Sequence, residues 1–176
     1  MTKPLLLSRR SLLAMPLALA ACRKGWSILE LTGLTMGTSY SIVAVDHSRQ
    51  IDKAELKAAV EAKLATVNTQ MSNWDSGSEI SRFNATGSTD SFGVSHELAH
   101  VMQAAQDVNA ASDGRFDVTV GPLIDLWGFG ATGTRNDEPG AHEIADALAC
   151  CGQSESIRVG NGALQKLRPD AEAYLS

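Results

Sequence analysis

The stretch from Gly114 to Gly130 has the composition of a loop that shapes a ligand site. It reads G-R-F-D-V-T-V-G-P-L-I-D-L-W-G-F-G, with glycines and aromatic residues around a single proline. Glycine lets the backbone approach a ligand closely or adopt a positive φ, and proline fixes the adjoining turn. A stretch with this glycine and proline content is unfavourable for a helix, so the sequence predicts an irregular ligand-binding segment here.

A second stretch with chemical potential is His96-Glu97-Leu98-Ala99-His100, which matches the H-E-x-x-H pattern of zinc metalloproteases. Histidines four residues apart share one helix face, where they can bind zinc while the glutamate acts as a base. Ser95 is placed to cap this helix, which puts His96 in its solvent-facing first turn. The two remaining histidines lie in segments that suggest no third ligand. A zinc hydrolase built on His96 and His100 is therefore the remote alternative.

Strands and long helices are predicted around these stretches. Alternating or β-branched apolar residues predict strands at Ile28 to Leu31 and Tyr40 to Val45, with Met36-Gly37-Thr38 at the bend between them. Helical spacing predicts an amphipathic helix from Asp52 to Met71, with Asp52 and Glu55 as a capping box. A second helix is predicted from about Ser95 to Ala111, and the residues expected to face the core are Leu98, Met102, Ala105 and Val108.

The remaining elements are shorter. We expect a helical turn at Glu79 to Phe83 and a third helix at Ala141 to Ala149. A closing hairpin is expected from Ser156 to Val159 and from Ala163 to Leu167, around Asn161-Gly162. Because strands and helices are mixed without strict alternation, the predicted fold class is α+β, with a mixed sheet packed against helices.

The N-terminus is predicted to be an export signal rather than part of the fold. Lys3, Arg9 and Arg10 precede a short apolar run, and Leu19-Ala20-Ala21-Cys22 resembles a bacterial lipobox. We therefore expect a signal peptide over residues 1–21, lipidation of Cys22 and a tether over 22–26. Cleavage without lipidation and a short anchor helix are the alternatives, and the paired arginines leave twin-arginine and general secretion both open.

Composition excludes one class of partner. The chain has 176 residues, 44% of them hydrophobic, and a net charge of −5. These values are typical of one globular domain. The negative charge, together with the lack of a basic stripe carrying aromatic residues, argues against nucleic acid.

Taken together, three motifs resemble the ApbE family, the FAD:protein FMN transferases. They are the M-G-T of Met36 to Thr38, the segment from Met71 to Asn84 with its M-S-N-W and S-E-I-S-R-F-N, and the Gly114 to Gly130 stretch. The resemblance covers roughly residues 28 to 176 and implies an ApbE-like, T-fold-like domain over residues 27–176. The lipoprotein signal is also usual for this family.

The resemblance also implies which residues bind the cofactor. Met36 corresponds to a methionine that contacts FAD, and Trp74 takes the place of a loop aromatic that stacks on the flavin. Arg115, Phe116 and Asp117 align with a segment lining the FAD site, although Asp117 can equally be an aspartate that satisfies local backbone N–H groups. Trp127 and Phe129 are expected to be core residues that support the loop.

The reaction implied by the family is transfer of FMN from FAD to a threonine or serine hydroxyl of a target flavoprotein, with release of AMP. Mg²⁺ held by oxygen ligands neutralises the negative charge that develops on the pyrophosphate. The family's metal ligands lie in a second half for which this sequence offers no matching positions, so no metal ligand or catalytic residue is assigned. The expectation is the N-terminal portion of a lipid-anchored enzyme on the periplasmic side of the inner membrane. The alternative is a non-catalytic flavin-binding module or inactive truncated copy.

Overall fold

The computed structural model describes residues 25–130, 133 and 135–175, which form two compact units. The first unit comprises the described residues up to Gly33 together with residues 39–58, and the second comprises residues 34–38 and those from 59 onward. The predicted signal peptide and Cys22 lie outside the described residues. No helix within the described part is long and apolar enough to cross a membrane.

The first two strands form a hairpin. Strand β1 (Ser27–Thr35) pairs with β2 (Thr38–Asp46) in a two-stranded sheet, as the alternating pattern predicted. The buried Asp46 ends β2, and its carboxylate accepts hydrogen bonds from the backbone N–H and the hydroxyl of Ser48, both at 2.7 Å. The Ser48 hydroxyl is the main reason that the pKa of Asp46 falls from 3.8 to about 2.

Helix α1 (Lys53–Met71) begins where its cap was predicted. The Asp52 carboxylate accepts hydrogen bonds from the N–H groups of Ala54 and Glu55, at 2.7 and 2.9 Å. These bonds satisfy donors that the first helical turn leaves without partners. The apolar stripe of the helix is only half-buried, and Val67 remains 39% exposed.

The second unit contains the remaining elements. Strand β5 lies at the centre of an antiparallel three-stranded sheet, and Phe92 pairs with Leu164, which in turn pairs with Val159. The elements are α2 (Glu79–Ala85), β3 (Ser91–Gly93), α3 (His96–Ala111), α4 (Gly121–Leu126), α5 (Ala141–Ala149), α6 (Gln153–Ser156), β4 (Ile157–Gly160) and β5 (Ala163–Lys166).

The core of this unit lies among α2, α3 and the three-stranded sheet. Its buried apolar residues are Ile80, Phe83, Leu98, Met102, Ala105, Val118, Ile157, Leu164, Ala171 and Ala173. One charged side chain is buried with them: Lys166 is 1% exposed and donates to the backbone carbonyls of Asn84 and Thr86 at the end of α2, at 2.8 and 2.7 Å. Burial lowers the pKa of this lysine.

The C-terminal segment, residues 171–175, is tied to earlier parts of the chain by hydrogen bonds. Asn84 donates to the carbonyl of Ala173 at 2.8 Å and accepts from its N–H at 2.9 Å. Asn73 donates to the same carbonyl at 2.8 Å and accepts from the N–H of Leu175 at 2.8 Å. The N–H of Tyr174 donates to the carbonyl of Val118 at 2.7 Å. These hydrogen bonds therefore hold the segment against the core.

The α+β prediction is confirmed, with three local differences. Helix α4 lies inside the stretch that was predicted to be irregular, because Pro122 occupies the first turn, where its missing N–H costs nothing. Val108, predicted to face the core, is 48% exposed. The short elements β3 and α6 were not predicted, since three or four residues carry too little periodicity to detect.

Candidate functional site

The tight turn of the first hairpin places Met36. Only Met36 and Gly37 separate the two strands, and their φ values are 48° and 74°. Two consecutive positive φ values are what a two-residue turn of type I′ requires. Glycine adopts this conformation freely, whereas a side chain there costs about 1–2 kcal/mol. A methionine at such a position points to a role for its side chain beyond the turn.

Trp74 lies on a loop that hydroxyl groups hold in place. The buried Ser72 accepts a hydrogen bond from the N–H of Trp74 through its hydroxyl, at 3.2 Å. Its carbonyl accepts from the hydroxyls of Ser78 and Ser81, at 2.6 and 3.1 Å. Ser78 also caps α2. The M-S-N-W loop is thus fixed to the helix that follows it, while the indole of Trp74 stays 60% exposed.

Met36 and Trp74 line the same cavity, which we call the ring cavity. Its volume is about 510 Å³, within the range of roughly 300–1,000 Å³ that is usual for small-molecule sites. Its walls are Met36, Gly37, Asn68, Ser72, Trp74 and Asp75. The structure therefore brings together two of the five residues that the resemblance assigned to the cofactor.

The polar groups of the ring cavity limit what it can hold. Among the described residues, neither lysine nor arginine lines it, and the one ionisable group there is the carboxylate of Asp75. A pyrophosphate in such surroundings has no positive partner and faces like charge. An exposed indole and a thioether are instead suited to a flat aromatic ring. The ring cavity therefore fits the uncharged ring end of a dinucleotide better than its phosphates.

The segment carrying Arg115 and Phe116 follows α3. The Asn109 amide donates to the carbonyl of Phe116 at 2.7 Å, and the Ser112 hydroxyl accepts from its N–H at 3.0 Å. The Arg115 side chain is 80% exposed, and its guanidinium donates to the carbonyl of Ser112 at 3.1 Å and pairs with Asp113 at 3.5 Å. Arg115 lines neither the ring cavity nor the second cavity described below.

Asp117 is hydrogen-bonded through both carboxylate oxygens. One oxygen accepts from the N–H and hydroxyl of Thr119, at 2.7 and 2.6 Å. The other accepts from the N–H groups of Gly152 and Gln153, at 2.9 and 3.2 Å, where α6 begins. Four donors fill the accepting capacity of a carboxylate. This geometry favours the alternative in which Asp117 satisfies backbone groups, and its contact with a cofactor stays a prediction.

Phe116 and Asp117 line a second cavity of about 500 Å³. The apolar face of α3 forms one side of it, and Tyr174 and Leu175 contribute another. The phenol of Tyr174 donates to Asp125 at 2.8 Å, and burial together with this bond raises the pKa of Tyr174 well above its ordinary value. Because Asn73 binds the N–H of Leu175, the loop that carries Trp74 is joined directly to this cavity's wall.

Two aromatic residues of the glycine-rich stretch differ from expectation. Trp127 is 43% exposed and Phe129 is 78% exposed, so the prediction that they are core residues is wrong. Helix α4 ends at Leu126, and the turn that follows faces outward. Gly130 packs so closely against Asp125 that a methyl group there would overlap its carboxylate.

His96 and His100 do not form a zinc site with a third described residue. Their rings are parallel, with centroids 6.4 Å apart, and both are exposed beside the β4–β5 turn. Glu97 faces elsewhere, since its carboxylate accepts from the amide of Gln70 at 3.3 Å. Throughout residues 25–130, 133 and 135–175, no three or more His, Cys, Asp or Glu side chains are grouped to hold a metal ion.

Sequence reasoning missed several walls of the two cavities. Asn68 is one turn before the end of α1, and its helical spacing from Leu64 and Met71 marked that face as packing surface. Asp75 directly follows Trp74, so the loop motif itself was the available signal. Tyr174 gave no signal, because its place depends on long-range hydrogen bonds.

Comparison with known proteins shows what the chain resembles. The sequence profile of the ApbE family matches residues 36–175. An FAD:protein FMN transferase of Vibrio cholerae is 36% identical over 164 residues, which is 93% of this chain and 49% of that protein. One from Haemophilus influenzae is 36% identical over 141 residues, covering 79% of this chain and 41% of the relative. The chain thus spans less than half the length of these curated relatives.

Solved structures give the same result for the fold. The flavin transferase ApbE from Vibrio cholerae superposes with a TM-score of 0.80 at 33% identity, covering 85% of this chain and 48% of that chain. The apo flavinyl transferase ApbE of Pseudomonas stutzeri gives 0.76 at 31% identity, with coverage of 85% and 47%. The resemblance of the three motifs is therefore confirmed, and the chain belongs to the ApbE family.

Proposed function

We propose that this chain supplies the FAD-binding part of an FAD:protein FMN transferase. The observation that supports it most is the ring cavity, where a methionine in a strained turn and an exposed tryptophan line a space that no described lysine or arginine borders. The isoalloxazine ring stacks on Trp74 and contacts Met36 there. Phe116 and Asp117, with the neighbouring Arg115, form the further FAD surface that the family resemblance assigns.

The reaction we propose for the whole protein moves FMN from FAD to a threonine or serine hydroxyl of a target flavoprotein. AMP is the leaving group. In this scheme the chain's own residues bind and orient the flavin, so that the pyrophosphate that joins the FMN and AMP halves of FAD projects away from the ring cavity. Positioning of this kind supplies a large part of the acceleration in phosphoryl transfer.

Mg²⁺ would neutralise charge on the pyrophosphate in such a reaction. The described residues do not fit this ion, because no three or more His, Cys, Asp or Glu side chains are grouped among them. This observation favours a second candidate function, a flavin-binding module that does not transfer FMN on its own.

Flavin binding is tested by fluorescence titration of the purified chain with riboflavin, FMN and FAD. Stacking on an indole quenches flavin emission, and removing a stacked aromatic side chain weakens binding by about 1–3 kcal/mol. Trp74→Ala should weaken all three ligands by about tenfold or more, whereas Trp127→Ala, which removes an exposed tryptophan outside the ring cavity, should leave them unchanged. Equal affinities for the parent chain and Trp74→Ala would refute the assignment.

Transfer is tested separately. The chain is incubated with FAD, Mg²⁺ and a target flavoprotein, and covalent flavin is detected by in-gel fluorescence of the denatured target. We expect binding without transfer by the chain alone. Covalent flavinylation would rule out the non-catalytic module and show that this chain suffices for transfer.

We also propose that the protein is exported and lipid-anchored on the periplasmic side of the inner membrane. The lipobox-like Leu19-Ala20-Ala21-Cys22 supports this. Cys22→Ser should abolish incorporation of a labelled fatty acid and move the protein from the membrane fraction. Unchanged labelling of this variant would refute lipidation at Cys22.

A further inference from the structure

We infer that Asp75 determines which ring the ring cavity accepts, by receiving a hydrogen bond from the imide N–H of a flavin. This inference rests on the proposed function and adds to it a specificity-determining residue. Asp75 comes immediately after the stacking residue Trp74, and both line the same cavity. A group beside the stacking face is placed to contact the edge of the stacked ring.

Local hydrogen bonds fix the Asp75 carboxylate and leave one oxygen available. Its Oδ1 accepts from the N–H of Gly77 at 2.9 Å, and its backbone carbonyl accepts from the N–H of Ser78 at 3.0 Å. Such an Asx turn holds the side chain against its own backbone. Among the described residues Oδ2 has no hydrogen-bond partner, so it can accept from a ligand.

The donor and acceptor types in the ring cavity match one edge of a flavin. An ionised carboxylate only accepts hydrogen bonds, whereas an asparagine amide both donates and accepts. The pyrimidine edge of an isoalloxazine presents an imide N–H between two carbonyl groups. Asp75 can accept from that N–H while the amide of Asn68 donates to a neighbouring carbonyl. Without Asn68, the carbonyls beside the N–H would face the carboxylate unfavourably.

The adenine ring of FAD is the alternative occupant of the ring cavity. Adenine also offers a donor beside an acceptor, through its amino group and ring nitrogen. Two observations favour the flavin: the exposed indole provides a face for a three-ring system, and the cavity volume of about 510 Å³ exceeds the need of a purine alone. AMP is therefore included in the test as a ligand that should not depend on Asp75.

The test compares lumiflavin with N3-methyl-lumiflavin, which lacks only the imide hydrogen. Affinities are measured by fluorescence titration for the parent chain, Asp75→Ala and Asp75→Asn, and AMP binding is measured by calorimetry. Asp90→Asn is the matched control, since it removes an exposed carboxylate that lines neither cavity. Circular dichroism establishes that each variant folds.

We expect the parent chain and Asp90→Asn to prefer lumiflavin by about tenfold, the range of one hydrogen bond to a charged group. Asp75→Ala should bind both flavins alike. In Asp75→Asn the amide oxygen keeps the bond from the N–H of Gly77, so the N–H₂ group meets the imide N–H and this variant should bind lumiflavin most weakly. Equal affinity of the parent chain for the two flavins, or loss of AMP binding in Asp75→Ala, would overturn the inference while leaving flavin binding intact. No binding of any flavin by the parent chain would instead overturn the proposed function.

Discussion

Replacing Asn84 by alanine should destabilise the second unit, because Asn84 ties two distant parts of its core together. Asn84 forms a reciprocal pair with Ala173, donating to its carbonyl at 2.8 Å and accepting from its N–H at 2.9 Å. Ala173 is completely buried, so water cannot replace the lost partner. The alanine variant keeps the backbone carbonyl of residue 84, which still accepts from Lys166.

The magnitude follows from the two bonds taken separately. The N–H of Ala173 loses its partner and pays the cost of a buried, unsatisfied donor, about 1–3 kcal/mol. The carbonyl of Ala173 keeps its bond from Asn73 at 2.8 Å, so losing the second donor costs less than about 1 kcal/mol. We expect the free energy of unfolding to fall by about 1–4 kcal/mol.

The assay is urea unfolding followed by tryptophan fluorescence, and two further variants sharpen it. Asn136→Ala, which truncates an exposed asparagine, should change the free energy of unfolding by less than about 0.5 kcal/mol. Asn84→Asp keeps the acceptor for Ala173 but sets a carboxylate oxygen against its carbonyl. Its deficit should shrink as pH falls and protonation restores a donor. A loss in Asn84→Ala no larger than in Asn136→Ala would refute the reasoning.

Three further predictions concern other contacts. Asp46→Asn should reduce the acid sensitivity of unfolding between about pH 4 and 2. The pKa of Asp46 is lowered from 3.8 to about 2, so its carboxylate contributes stability above pH 4 that is lost as pH falls. An unchanged stability profile over this pH range would contradict this. Tyr174→Phe leaves Asp125 without the hydrogen bond from the phenol, so the free energy of urea unfolding should fall by about 1–3 kcal/mol. The raised pKa of Tyr174 also predicts that the parent chain loses stability above about pH 10, and this loss should be absent in Tyr174→Phe. Gly121→Ala places a methyl group inside the ring of Tyr174, so thermal unfolding should show a loss of about 1–3 kcal/mol, and a neutral result would mean that the ring moves aside freely.

Sequence patterns predicted the elements that local interactions decide. The cap at Asp52, the cap at Ser95 and the hairpin around Asn161-Gly162 all involve residues within a few positions of one another. Each satisfies its own backbone groups with neighbours, so its signal is contained in a short stretch. Helix α4 was missed for a related reason: glycine and proline content was weighed against a helix, although proline is favourable in the first turn.

Long-range packing explains what the sequence left undetermined at the site. Met36 and Trp74 were assigned together by resemblance, and the structure places them in one cavity. The assignment of Phe116 and Asp117 leads to a different cavity, whose far wall is Tyr174 and Leu175. No local pattern encodes that division, because it depends on hydrogen bonds between residues about 100 positions apart.

The hydrogen bonds of the C-terminal segment also determine when the core can be completed during synthesis. Asn84 precedes its partner Ala173 by 89 residues, and Asn73 precedes Leu175 by 102. At about 5–20 residues per second, a ribosome needs roughly 5 to 20 s to supply those partners. Throughout that interval the Asn84 amide lacks Ala173, and the apolar cluster that contains Ile80 and Phe83 lacks Ala171 and Ala173. The core of the nascent chain thus stays incomplete for seconds, an interval in which a chaperone can engage it before the core closes.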